Sequence, residues 1–168
     1  MNESLIKQFI TEHAETIKKI NLPKINEAIE LIIHAIDNNS RVFWCGNGGS
    51  ASQANHLSAE LVGGMNKIKI NPFNSICLNV DTAFITAWSN DDSFENIFKR
   101  QLQANGKKGD ILISLSTSGN SNNVNNAAQY SKDSGIKVIS LTGNSGGKLK
   151  KISDLNINVD SDSTQRIQ

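Results

Sequence analysis

The chain of 168 residues carries 17 Lys plus Arg against 16 Asp plus Glu, a formal net charge of +1, and so lacks the cationic excess that advertises a nucleic-acid partner. Its length suits one domain that buries a sizeable core without disulfides or a structural metal. No run approaches the ~18 apolar residues of a membrane span, and Glu3, Lys7, Glu12 and Glu15 interrupt the N-terminus where a secretory signal would be uniformly apolar; a cytoplasmic protein with no membrane partner is expected by elimination.

From Ser4 to Ile20 the residues Leu5, Phe9, Ile10, Ile17 and Ile20 recur at helical spacing, and from Lys24 to Asn38 the residues Ile25, Ile29, Ile32, Ile33 and Ile36 do the same. Two amphipathic helices are predicted, separated near Asn21-Leu22-Pro23. After Asn38-Asn39-Ser40 the pattern turns to short apolar runs, each followed by small residues and then a helical stretch. Strands are predicted at Arg41 to Cys45, Ser75 to Asn79, Asp110 to Leu115, Lys137 to Leu141 and Asp154 to Asn158. Helices are predicted at Ser50 to Leu61, Thr82 to Ala87, Phe94 to Ala104, Ser121 to Ser134 and Gly146 to Lys150. Most of the strands are near-continuously apolar, as strands buried on both faces are. The β-α rhythm points to an α/β fold, a doubly wound, flavodoxin-like parallel sheet of five strands flanked by helices. Residues 1–40 form N-terminal helices of the same domain and residues 41–168 its α/β body. Cys45 and Cys77 fall within strands and are read as reduced, structural thiols.

The first strand runs into Cys45-Gly46-Asn47-Gly48-Gly49-Ser50-Ala51-Ser52, directly before a helix. This is the carboxyl end of a parallel strand, where ligands bind in such folds. The glycines let backbone amides approach a ligand closely, and Ser50 and Ser52 either cap the helix or bind an anion at its positive end. The third strand ends in Ser114-Leu115-Ser116-Thr117-Ser118-Gly119-Asn120-Ser121, again before a helix. Hydroxyls in that number exceed what a cap needs and suit a phosphate held without lysine. Neither turn has the spacing of a dinucleotide fingerprint or the Gly-Lys-Ser/Thr ending of a triphosphate loop, so a sugar phosphate fits better than a nucleotide. The fourth strand ends in Leu141-Thr142-Gly143-Asn144-Ser145-Gly146-Gly147-Lys148, which reads as a plain turn.

On the helix after the first turn, His56 and Glu60 lie four residues apart and share a face. They form an ordinary exposed pair, or a base beside a carbonyl, or two ligands of a zinc ion. Trp88-Ser89-Asn90-Asp91-Asp92 follows a helical stretch; its carboxylates either bind sugar hydroxyls or cap the next helix.

Taken in order, Cys45-Gly46-Asn47-Gly48-Gly49-Ser50, His56-Leu57-Ser58-Ala59-Glu60-Leu61, Ser116-Thr117-Ser118-Gly119-Asn120-Ser121, Leu141-Thr142-Gly143 and the terminal Arg166-Ile167-Gln168 resemble the sugar isomerase (SIS) domain family, and within it the phosphoheptose isomerases. The likeness covers nearly the whole chain. It implies interconversion of sedoheptulose 7-phosphate and D-glycero-D-manno-heptose 7-phosphate through an enediol(ate), for the heptose of bacterial surface glycans (lipopolysaccharide or capsule), in a homotetramer whose active sites are shared between subunits. It implies that Ser50, Ser116, Thr117, Ser118 and Ser121 hold the phosphate and Asp91 a sugar hydroxyl, that Asn47, Gly48, Gly49 and Gln168 also bind substrate, and that Glu60 is the base. A zinc ion, one per subunit, would take His56, Glu60 and Gln168, with a histidine beyond the last residue as the fourth ligand.

Two departures stand out. Family members continue past Arg-Ile-Gln into a Glu-x-x-x-x-x-x-His helix that supplies the partner acid/base, whereas this sequence ends at Gln168, and His13, His34 and His56 do not match that position. Gly64 stands where many of these isomerases carry an arginine near the substrate. The competing readings are a non-catalytic SIS protein that binds a replication initiator, whose kind generally lacks the carboxylate present as Glu60, and a sugar-phosphate sensor, which needs the hydroxyl loop but no base.

Overall fold

The computed structural model describes residues 3–63 and 72–168. Helix α1 (Glu3–Lys18) and helix α2 (Leu22–Asp37) open the chain. Asn21 ends the gap between them by accepting the Lys24 amide at 3.1 Å, and Pro23 sits in the first turn of α2, where its missing N–H costs nothing. Then follow β1 (Val42–Cys45), α3 (Gly49–Gly63), β2 (Ser75–Cys77) and α4 (Thr82–Asp91). A 3₁₀ turn (Phe94–Asn96) leads into α5 (Ile97–Asn105), β3 (Ile111–Ser116) and α6 (Asn122–Asp133). The chain closes with β4 (Lys137–Gly143), α7 (Gly147–Ile152), β5 (Leu155–Val159) and the short α8 (Thr164–Ile167).

The five strands form one parallel sheet in the order β2-β1-β3-β4-β5. Alternation along β1 explains the two layers, because Phe43 and Cys45 enter one core while Val42 and Trp44 enter the other. The first core adds Phe98 and Leu102 of α5, Val124, Ala127 and Ala128 of α6 and Leu149 of α7. The second adds Ala28 and Ala35 of α2 and Ala54 of α3, small residues that let these helices lie close on the sheet. Cys45 and Cys77 are free, buried thiols in different cores, and burial pushes the Cys45 thiol well above its ordinary range. No helix among the described residues is long and apolar enough to cross a membrane.

The predicted doubly wound sheet is present, with differences at element ends. β2 stops at Cys77 rather than Asn79, because the Asn79 side chain takes over the pairing with Gly46. α4 runs to Asp91, four residues past the expected Ala87, so neither Asp91 nor Asp92 caps the next helix. Ser93 does so, accepting the Glu95 amide at 3.0 Å. α8, which no periodicity announced, carries Arg166 to α1, where its guanidinium meets Glu12 at 3.2 Å and lies 5.3 Å from the Phe9 ring centre. Helix α1 buries none of its own residues, and Leu5, Ile6, Phe9, Ile10 and Ile17 remain exposed. Gly64 lies outside the described residues.

One buried carboxylate fixes where the sheet begins. Asp110, fully buried, accepts the Arg41 amide through Oδ1 and the Lys107 amide through Oδ2, each at 2.9 Å, so that β1 and β3 start level. Asp110→Ala strands both amides in the interior and is expected to cost about 2–4 kcal/mol of stability, read from urea unfolding midpoints at constant m.

Candidate functional site

β1 and β3 are neighbours, yet α3 leaves β1 toward one face of the sheet and α6 leaves β3 toward the other. Their exit turns therefore diverge and open a crevice at the carboxyl ends of the strands, the switch point where open α/β sheets bind ligands. The first turn reverses through Gly48, in the left-handed region at φ +55°, and delivers Ser50, buried, to the first turn of α3. The second turn carries Ser116 and Ser121 with their hydroxyl oxygens 3.1 Å apart. Ser121 occupies the N-cap position of α6 but makes no side-chain cap bond. Its hydroxyl pairs with Ser116 instead of with a helix amide, so it does not serve as the cap.

Ser50 and Thr117 line one cleft of about 210 Å³ together with Gln53 and Gln168, and its other walls are mainly apolar, among them Ile25, Leu57, Leu115 and Leu141. Two turns that are 67 residues apart in sequence therefore converge on one space. The N-terminal end of α3 borders it through Ser50, and a helix start presents unpaired N–H groups and a positive dipole end. Ser118, exposed, accepts the Asn120 amide at 3.1 Å and still has its own proton to donate.

Some predicted residues stand differently. The Asn47 carboxamide does not face the cleft; it pairs reciprocally with Asn123 at 2.8 and 2.9 Å. Gln168 does reach the cleft, its Nε2 donating to Ser50 Oγ at 3.3 Å and its backbone carbonyl accepting Gln53 Nε2 at 2.7 Å. Asp91 is exposed at the end of α4, accepts Asn90 Nδ2 at 2.9 Å and does not line the cleft. The neighbouring Glu95 accepts Asn122 Nδ2 at 2.8 Å at the start of α6. His56 is exposed and Glu60 half-buried on α3. Ten residues separate Ser50 from Glu60, which is roughly 15 Å along the helix axis. The helix therefore sets the carboxylate well away from its own chain's hydroxyls.

The fourth loop, read as a plain turn, is the backing of the second. Gly143 N donates to the Thr117 carbonyl at 3.0 Å, Leu149 N to the Gly119 carbonyl at 2.9 Å and Lys148 N to Asn120 Oδ1 at 3.1 Å. Asn120 and Gly119 thereby cap α7, whose own N-cap residue is the bare Gly146. No local pattern announces this, because the donors and acceptors lie about thirty residues apart.

Fold and site together define a class, the doubly wound α/β proteins whose crevice opens at the switch point where two adjacent strand exits diverge. The SIS domain family profile matches residues 7–143. A phosphoheptose isomerase of Helicobacter pylori (strain Shi470) is 43% identical over the whole of this chain and 88% of its own length. The structure of a phosphoheptose isomerase from Francisella tularensis superposes with a TM-score of 0.89 at 34% identity, covering 98% of this chain and 86% of that one. A phosphoheptose isomerase from Neisseria gonorrhoeae gives 0.86 at 35% identity, covering 97% and 90%. The chain belongs to the SIS domain family, among its phosphoheptose isomerases.

Two glycines of the crevice separate strain from collision. Gly48 has positive φ with open space around the position of a Cβ, whereas a Cβ on Gly119 would sit 1.9 Å from the Gly146 carbonyl oxygen. Gly48→Ala is expected to cost about 1–2 kcal/mol. Gly119→Ala must move the loop off its backing, and a loss above about 3 kcal/mol is expected in the same denaturation series, together with loss of phosphate-ester binding by calorimetry.

Proposed function

We propose that this isomerase converts sedoheptulose 7-phosphate to D-glycero-D-manno-heptose 7-phosphate, the reaction that supplies heptose for surface glycans. The observation that carries the reading is the convergence of Ser50 and Thr117 on one cleft at the start of α3, with the Ser116 and Ser121 hydroxyls paired on the loop that carries Thr117. Such a cradle binds a dianion through neutral donors, which holds a monoester firmly enough to orient it and weakly enough to release it. Chemistry then needs one carboxylate at the other end of the sugar. Glu60 abstracts the proton on C1 of the ketose, the O1 proton passes to O2 in the resulting enediol(ate), and a proton returned to C2 leaves the C1 aldehyde and the C2 hydroxyl of the aldose with no net change in atoms.

The roughly 15 Å between Ser50 and Glu60 along α3 favours a site completed by a second copy of the chain. The exposed apolar face of α1 supports the same arrangement, since Leu5, Ile6, Phe9, Ile10 and Ile17 lie in water unless another subunit covers them. We therefore read the working protein as a homotetramer in which the cradle of one protomer faces Glu60 of another. The alternative of a non-catalytic SIS protein is disfavoured by the retained Glu60 and by the relatives of 43% identity.

Zinc, implied by the resemblance, is supported by donor chemistry but not by placement. His56 and Glu60 offer an imidazole nitrogen and a carboxylate on one helical face, while the Gln168 amide is held at Ser50. Among the described residues no group of three His, Cys, Asp or Glu assembles around them. No step is routed through the ion. If His56 and Glu60 hold it, zinc per chain measured by plasma mass spectrometry is expected to fall in both His56→Ala and Glu60→Gln.

The decisive test follows sedoheptulose 7-phosphate by NMR. Glu60→Gln is expected to lower kcat by about a thousandfold or more while substrate still binds. Thr117→Ala combined with Ser116→Ala is expected to silence turnover by loss of binding instead. Oligomers co-assembled from these two silent chains should regain a measurable share of activity; none at all would refute the shared site, and undiminished turnover in Glu60→Gln would remove the proposed base.

A further inference from the structure

The ladder between β1 and β3 ends at the pair Cys45 and Ser114, after which β3 continues to Ser116 along β4 alone. Past that point the backbone no longer holds the first turn to the second. Among the described residues, the hydrogen bonds that cross from residues 46–50 to residues 116–123 are the two between the carboxamides of Asn47 and Asn123. Asn47 Nδ2 donates to Asn123 Oδ1 at 2.8 Å, and Asn123 Nδ2 donates to Asn47 Oδ1 at 2.9 Å. Asn123 is almost wholly buried, at 2% exposure, and its Oδ1 also accepts the Val124 amide at 3.0 Å. On its other side the same turn is held by Asn79, whose Nδ2 donates to the Gly46 carbonyl at 2.8 Å and whose Oδ1 accepts the Gly46 amide at 3.2 Å.

We propose that Asn123 is a positioning residue of the phosphate cradle, its carboxamide setting through Asn47 the spacing between the turn that carries Ser50 and the loop that carries Ser116 and Ser121. The role rests on the phosphate-ester reading above. It touches no reacting atom. The pair suits this task because it is rigid, doubly bonded and uncharged; a carboxylate in its place would set a negative charge against the dianion. The sheet itself does not require the pair, because β1 and β3 are already joined along the whole length of β1.

The test uses the full chain in its native oligomer with sedoheptulose 7-phosphate. Asn123→Ala and Asn47→Ala are each expected to raise KM by about 10- to 100-fold with a much smaller fall in kcat, and the double variant should be no worse than either single one, as coupled partners require. An unchanged KM in Asn123→Ala, even with a lower melting temperature, overturns the positioning role. So does strict additivity, or an Asn47→Ala effect far larger than that of Asn123→Ala, which would mean that Asn47 contacts the sugar directly. Should the alanine variants not fold, side-chain amide exchange in the wild type decides. Protected NH₂ protons at both asparagines support the pair, and exchange at the solvent rate overturns it. A wild-type chain that neither binds nor converts the sugar phosphate refutes the functional reading and this role with it, whereas a working wild type beside an unaffected Asn123→Ala refutes only the role.

Discussion

The structure turns on a geometric conflict between two adjacent strands. β1 and β3 are hydrogen-bonded neighbours, but their following helices pack on opposite faces of the sheet. Right-handed crossovers leave no other arrangement once β2 lies on one side of β1 and β4 on the far side of β3. The turns must part, and parting opens a space that Ser50 of the first turn and Thr117 of the second both line. Every feature of the candidate site follows from that separation. The glycines permit the reversals, the hydroxyls line what opens, and neutral carboxamides keep the opening to a fixed width.

Carboxamides suit such a place better than the alternatives. A backbone ladder cannot continue where strands diverge, and an apolar contact would leave the Gly46 amide and carbonyl without partners. Asn79 supplies both a donor and an acceptor to Gly46 and so extends the β2 pairing past the last strand residue. Asn47 and Asn123 do the same across the crevice. Gly46 must itself be glycine, because a Cβ there would lie 2.8 Å from the backbone of Ser50. The turn is therefore specified from three directions, by the residue it cannot enlarge and by the two asparagine contacts flanking it.

Much of this was legible in the sequence. Apolar runs of strand length located all five strands, because a strand buried on both faces admits little else. The exits of the first and third strands were legible as turns rich in glycine and hydroxyls, each placed directly before a helix. The partners that hold them were not, since Asn47 and Asn123 lie 76 residues apart and an asparagine before a glycine reads locally as turn chemistry. Within the chain the Asn47 side chain is committed to this pair. Asp91, expected to bind a sugar hydroxyl or to cap the next helix, stands exposed at the end of an α4 longer than predicted, and Ser93 makes the cap. Helix length is the least legible property of a short amphipathic segment, as it depends on what caps its end.

The largest unread feature is a polar ladder beneath the sheet's far edge, and it bears on the site. Ser140 and Thr142 of β4 face Asn156 and Asn158 of β5, where an apolar strand interior is the rule. Asn156 Nδ2 donates to Ser140 Oγ at 2.9 Å and to Thr142 Oγ1 at 2.8 Å, Thr142 donates to Asn158 Oδ1 at 2.8 Å, and Asn158 Nδ2 donates to the Asn144 carbonyl at 2.7 Å. Asn144 takes the left-handed conformation at φ +47°, which asparagine tolerates better than most residues. Its held carbonyl fixes the loop that follows, and that loop carries Gly146 against Gly119. The hydroxyl-bearing loop is thus backed by a chain of side-chain hydrogen bonds that reaches the outermost strand. Polar residues in β4 and β5 that look costly for a buried strand recover most of their desolvation through mutual bonding, Asn156 Oδ1 alone in this ladder being left without a partner, and they give the β3 loop a support that apolar packing, being non-directional, would not provide.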